Sequence, residues 1–229
     1  MTFIAVLLLT IAMTIVQIAN IYNKGQLSKE IDQTSRDINQ ELDRAMRSSG
    51  TFSTDTTANK YVNKPWGGRL CMGTYSYAWN YGTAIDAVST DRNQYSSVNT
   101  AGLAVRSGGV TRYDIGFVKV PDSGGSLCVA NATTGKYPNI NPLNAVEMLR
   151  AGDHSLVLHT FVVSSPAKDL ASNQQLYKIS YTLGTSRIEA MNVTPTEATC
   201  KIPGTTGADP NYCSVQKFTI VLRVVSGVN

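Results

Sequence analysis

The distribution of charge over the first fifty residues constrains this chain more than any other feature. Residues 1–23 carry no charged side chain. Residues 24–47 carry ten: Lys24, Lys29, Arg36, Arg44 and Arg47 against Glu30, Asp32, Asp37, Glu41 and Asp43. From Met1 to Ile21, sixteen of 21 residues are apolar, interrupted only by Thr2, Thr10, Thr14, Gln17 and Asn20. About 20 such residues span the core of a bilayer as a helix. Threonine is tolerated because its hydroxyl bonds back to its own helix. Gln17 and Asn20 lie near the end, where headgroups or water are within reach. A cleaved secretory signal fits poorly: no basic residue precedes the run, the run exceeds a normal signal core, and no A-x-A site follows. A single-pass anchor is the plain alternative.

Past the apolar run the pattern stays helical. No proline occurs before Pro65, and Gly25 is the only glycine before Gly50. Leu27, Ile31, Ile38, Leu42, Ala45 and Met46 recur at helical spacings and form an apolar stripe, with charges on the other faces. Lys29–Asp32, Asp32–Arg36, Glu41–Arg44 and Asp43–Arg47 are supportive pairs three or four apart, whereas Asp37–Glu41 is repulsive. Arg44 and Arg47 suit a last turn and Gly50 suits the residue after it. The spacing predicts one continuous helix over 2–48, about 70 Å long. Thr34 and Ser35 interrupt the seam that a coiled coil would need, so the stripe is expected to pack on the chain's own C-terminal sheet. Ile11, Thr14, Ile15, Val16 and Gly25 lower local helix propensity, which marks Gly25 as a candidate hinge.

The stretch MTFIAVLLLTIAMTIVQIANIYNKGQLSKEIDQTSRDINQELDRAM, residues 1–46, resembles the N-terminus of type IV pilins. The opening Met1-Thr2-Phe3-Ile4-Ala5-Val6 is similar to the mature start of the type IVb subgroup, which would place a removed leader before Met1. The resemblance implies an α+β fold: a long helix, 1–50, whose amphipathic half packs on an antiparallel sheet domain, 51–229. It further implies that Phe3, Ala5, Leu7, Leu8, Ile11, Ile15 and Ile18 anchor in the inner membrane and then form a filament core with identical or homologous subunits. Leu27, Ile31, Ile38 and Leu42 would make the helix-to-sheet contact. The family's glutamate at the fifth mature position is Ala5 here, so the pairing it makes with a neighbouring subunit's N-terminus has no counterpart at that position. With no carboxylate there, no charge need be desolvated when the helix passes from lipid into a dry bundle.

Beyond residue 50 the texture changes. Only 16% of the chain is charged, and residues 48–229 hold 15 basic and 11 acidic groups, the whole of the net +4. That excess is too mild for a DNA-coating protein and is only a weak pointer to anionic surfaces or nucleic acid. Residues 51–64 read as a surface loop. Strands are expected at 69–80, 101–106, 112–120, 126–131, 155–165, 175–184 and 214–226. A short helix is expected from Leu143 to Arg150, with Asn141 as N-cap, Pro142 at its first position and Gly152 beyond its end. Cys200 and Cys213 bracket a twelve-residue Pro/Gly loop, and joining them restrains it by about 3 kcal/mol. Cys71 and Cys128 then remain for each other. Four cysteines allow three connectivities, and the loop setting favours this one.

Signals for catalysis are poor. Asp153, His154 and Ser155 are sequence neighbours, not a converged triad, and no G-x-S-x-G occurs. His159 sits in a hydrophobic run and reads as structural. Ser107-Gly108-Gly109 and Ser123-Gly124-Gly125 read as turns, and the absence of C-x-x-C disfavours zinc. No enzyme and no cofactor is expected. Asn131-Ala132-Thr133 and Asn192-Val193-Thr194 match glycosylation acceptors. Tyr75, Tyr77, Trp79 and Tyr81 alternate and share a face, either as a binding platform at the surface or as a core or subunit contact. Two functions compete. One is an extracellular filament subunit, serving adhesion, aggregation, twitching motility, DNA uptake or contact between mating cells. The other is a membrane-anchored monomeric surface binding domain, lectin-like, with a pseudopilin of a type II secretion system between them. Host or neighbouring cell surfaces are the outer partners in either case.

Overall fold

The computed structural model describes residues 2–55, 59–65, 67–83, 116–133, 137–138, 140, 144–149, 156–169, 174–194 and 196–225. One helix, α1 (Thr2–Ser49), runs unbroken from the apolar segment through the charged one, Gly25 included. It ends at Gly50, whose φ of 70° is the left-handed conformation that terminates helices at low cost to glycine. Arg47 grips Asp43 at 2.8 Å and Arg44 lies 3.9 Å from Glu41, two of the four expected pairs.

The strands form antiparallel sheets in two main groups. Sheet A orders β1 (Tyr61–Lys64), β2 (Gly67–Met72), β3 (Tyr75–Asn80), β4 (Phe117–Pro121) and β5 (Val146–Glu147) in sequence. Sheet B orders β10 (Val215–Val225), β7 (Gln174–Thr185) and β6 (Leu156–Asp169). A small pair, β8 (Met191–Val193) with β9 (Ala198–Cys200), lies before β10.

Alternation puts Tyr177, Ile179, Tyr181 and Leu183 of β7 on one face, with Leu222 and Val224 of β10. The helix lays its stripe there: Leu27, Ile31, Ile38, Leu42 and Met46 are all buried in the same core. Thr34 and Ser35 are buried too. They would break a coiled-coil seam, yet their small side chains let the sheet approach. The Tyr181 hydroxyl donates to Asn39 Oδ1 at 2.6 Å and lies 3.1 Å from Ser35 O.

The helix and β10 advance in the same direction. Gln216 reaches Ser28 at 3.0 Å. Tyr181, opposite Phe218, meets Ser35 and Asn39. Tyr177, opposite Leu222, meets Phe52 beyond the helix end, where its ring stacks at 4.7 Å.

The two sheets close over an aromatic centre in which Phe161 lies 4.4 Å from Trp79, 5.6 Å from Phe117 and 6.1 Å from Tyr181. Gly68 is required at this closure. A Cβ there would sit 2.3 Å from Val62 O and 2.4 Å from the Trp79 ring. Among the described residues a parallel bridge, Tyr81 with Leu158, runs between the sheets, and side chains do the rest of the joining. Tyr61 and Tyr81 hydroxyls each donate to Phe161 O at 3.2 Å, as does Asn63 Nδ2 at 3.1 Å. The Val163 and Phe161 N–H groups donate back to the same two hydroxyls.

Several expectations are corrected. Residues 69–80 are not one strand but the hairpin β2–β3, because Gly73 turns left-handed at φ 72°. Residues 61–64 of the expected loop pair as β1. Residues 126–128 form a 3-10 turn, not a strand. The Asp122 carboxylate draws in the Ser126 N–H, the Ser126 hydroxyl and the Leu127 N–H, which curls the backbone. The helix expected at 143–150 is replaced at Val146–Glu147 by β5. Eight residues rarely hold a helix alone, and here β4 captures them: Met148 N–H reaches Phe117 O at 2.7 Å. The expected strand 101–106, the start of the one at 112–120, Ser107-Gly108-Gly109, Asn141, Pro142, Gly152 and Asp153-His154-Ser155 lie outside the described residues.

Candidate functional site

The candidate site on this molecule is a surface rather than a cleft. From Phe3 to Ile18 every large apolar side chain of α1 is exposed, between 45% and 77%. Ala5 is exposed as well, and the first buried helix residue is Leu27. Sequence and structure therefore bring Phe3, Ala5, Leu7, Leu8, Ile11, Ile15 and Ile18 together on one bare rod. A helix apolar on all sides is stable only in lipid or in a dry bundle. Thr10 and Thr14 do not spoil it, since their hydroxyls donate to Leu7 O at 2.8 Å and Ile11 O at 2.7 Å. At Gly25 the helix is continuous, and nothing lies within 4 Å of where a Cβ would be.

The rod is fixed to the domain by a clamp that the sequence did not announce. Glu41 accepts from Lys119 Nζ at 2.5 Å and from the Tyr77 hydroxyl at 2.8 Å. Burial raises the Glu41 pKa. The hydrogen bonds from Lys119 and Tyr77, then the charges of Lys119 and Arg44, outweigh burial and hold it below the usual carboxylate value. The Lys119 ammonium also lies 4.1 Å from the Tyr75 ring centre. A groove of about 530 Å³ opens beside the clamp, lined in part by Asp37, Glu41, Tyr75 and Val146.

The aromatic alternation on β3 is real, and its face is the interior: Tyr77, Trp79 and Tyr81 are buried, and only Tyr75 is exposed. A surface platform of four aromatics is thereby corrected to a core face. His159 is buried, with Nε2 3.2 Å from Thr185 O. It sits at a register shift between Leu158 and Thr160, the bulge that turns its ring inward. Arg69, also overlooked, is a buried cation. It donates to Leu127 O and, at 2.7 Å, to Pro138 O, and burial lowers its pKa to about 10.

Both disulfides form as expected, Cys71–Cys128 and Cys200–Cys213. The first ties β2 to the Asp122-capped turn. The second closes the loop before β10. Ser123-Gly124-Gly125 is a turn, with Gly125 at φ 72°. Asn131 and Asn192 are exposed. Among the described residues, no three of His, Cys, Asp and Glu gather as a metal site would need.

No family model, curated protein or solved structure matches this chain. The reading of its function rests on the helix and what it leaves bare.

Proposed function

We propose that the chain is a structural subunit of a type IV pilus-like extracellular filament. One observation carries the proposal: a single rigid helix is fully exposed and apolar for its first half, then buried against an antiparallel sheet for its second. The apolar half anchors the subunit in the membrane and then enters a bundle of identical helices, exchanging one dry environment for another. The disulfide-stapled domain suits the outside of a cell, where thiols oxidise. The chemistry is assembly rather than catalysis, and no cofactor takes part.

The test is to shear cells that make the chain and image the sheared fraction. Wild type yields fibres containing it. Leu8→Lys and Ile11→Lys each place an ammonium in the dry core, which costs several kcal/mol unless paired, so both abolish fibres while the domain stays folded. Persistence of fibres in both variants overturns the core assignment. Recovery of wild type solely as a detergent-soluble monomer favours the anchored binding domain instead.

A further inference from the structure

The loop closed by Cys200–Cys213 stands at the end of the domain from which the bare helix leaves. The helix and β10 run the same way, and Gln216 is level with Ser28. Cys213 lies three residues before Gln216 on the chain. At ~3.3 Å per extended residue that is roughly 10 Å nearer the helix N-terminus, or about seven helical residues. Cys213 therefore stands beyond Gln216 on the side toward Ile21 and Tyr22, where the apolar run ends. In an anchored subunit that level is the plane of the lipid headgroups.

The loop presents what such a plane takes. Ile202 is 74% exposed beside Pro203, and Tyr212 is 45% exposed with the Arg187 guanidinium 5.2 Å from its ring centre. Tyr22, near the end of the apolar run of the helix, is exposed too. Exposed tyrosines and an exposed apolar tip are the residues an interfacial belt uses. The loop's Asp209 is paired with Arg187 at 2.6 Å, and Lys201 bends back to donate to Thr206 O at 3.3 Å.

We propose that in the membrane-anchored subunit this loop rests on the bilayer, with Ile202 in the headgroup–acyl boundary. It is a second, shallow contact beside the helix, and it works through apolar insertion rather than attraction to anionic lipid. It rests on the membrane-anchored stage of the proposed function and does not require the filament.

The full chain is reconstituted into vesicles of phosphatidylcholine brominated on its acyl chains. Tryptophan is introduced singly as Leu8→Trp, Ile202→Trp or Val221→Trp, the last on the exposed outer face of sheet B. The emission added to that of the parent chain should fall severalfold for Leu8→Trp and Ile202→Trp and stay unchanged for Val221→Trp. Because tryptophan itself favours the interface, hydrogen exchange supplies a second readout. The amides of Gly204 and Thr205 should exchange faster in Ile202→Asp than in the parent chain in plain phosphatidylcholine vesicles. Quenching at Leu8→Trp with none at Ile202→Trp, or equal exchange in parent and Ile202→Asp, overturns the loop contact while leaving the anchor intact. No quenching at Leu8→Trp overturns the anchor reading and the loop contact together. A shift at Ile202→Trp that follows protein density and ignores bromine assigns the loop to a second copy and overturns the lipid contact.

Discussion

His159 shows how one residue sets a chemical limit on the domain. Its ring is 2% exposed, walled by Gly82 and Gly184, and burial pulls its pKa down to about 4 despite the hydrogen bond to Thr185 O. An unfolded histidine titrates near 6.5, so below that pH the unfolded chain binds a proton that the folded chain refuses. Stability is then complete above pH 6.5 and is lost as the pH falls toward 4. Glu41 and Asp122, whose pKa values are also depressed, lose stability in the same direction at lower pH. Denaturant unfolding at pH 7 and 4.5 measures it. The His159→Gln chain should lose about 2–3 kcal/mol less over that interval than the parent. An equal loss in both chains means that the ring is not the acid-sensitive group.

At the scale of elements, the clamp between α1 and β4 is the point most open to measurement. Lys119 and Glu41 are each about four-fifths buried as side chains and 2.5 Å apart. A double-mutant cycle with Glu41→Gln and Lys119→Met should give a coupling of about 1–2 kcal/mol, because the bond is charge-assisted but still reached by water. A coupling near zero leaves the apolar stripe as the main attachment of the helix.

The stripe itself was legible because helical spacing is local: Leu27, Ile31, Ile38 and Leu42 declare themselves within sixteen residues, and Gly50 marks the stop. Strands β6, β7 and β10 were legible from their runs and alternation, and the Cys200–Cys213 staple from its loop. Glu41 and Lys119 are 78 residues apart in sequence, and neither carries a local mark of its partner. The turn at 126–128 depends on Asp122, which Ser76 holds from 46 residues away. β5 depends on β4 offering its edge. Chemistry that arises when distant segments meet leaves no periodicity to read.

For the whole molecule, two parts with different solvents share one helix. The domain owes nothing to the first 24 residues, since the helix begins to bury side chains at Leu27. A chain lacking residues 1–24 should be water-soluble and monomeric by light scattering. Its thermal midpoint should stay within a few degrees of the detergent-solubilised parent. A much lower midpoint would show that the apolar half supports the domain after all.

The tyrosines that plug β6 bear on this division of labour. Subunits held side by side in a membrane live at high local density, where a bare strand edge invites strand exchange with a neighbour. The Phe161 N–H and C=O and the Val163 N–H are already engaged by Tyr61, Tyr81 and Asn63 of the same chain. Those three groups are not open to a neighbouring strand. On the filament reading proposed above, subunits gathered in a bilayer would meet this engaged stretch without knitting together, and would stay free to be taken up one at a time.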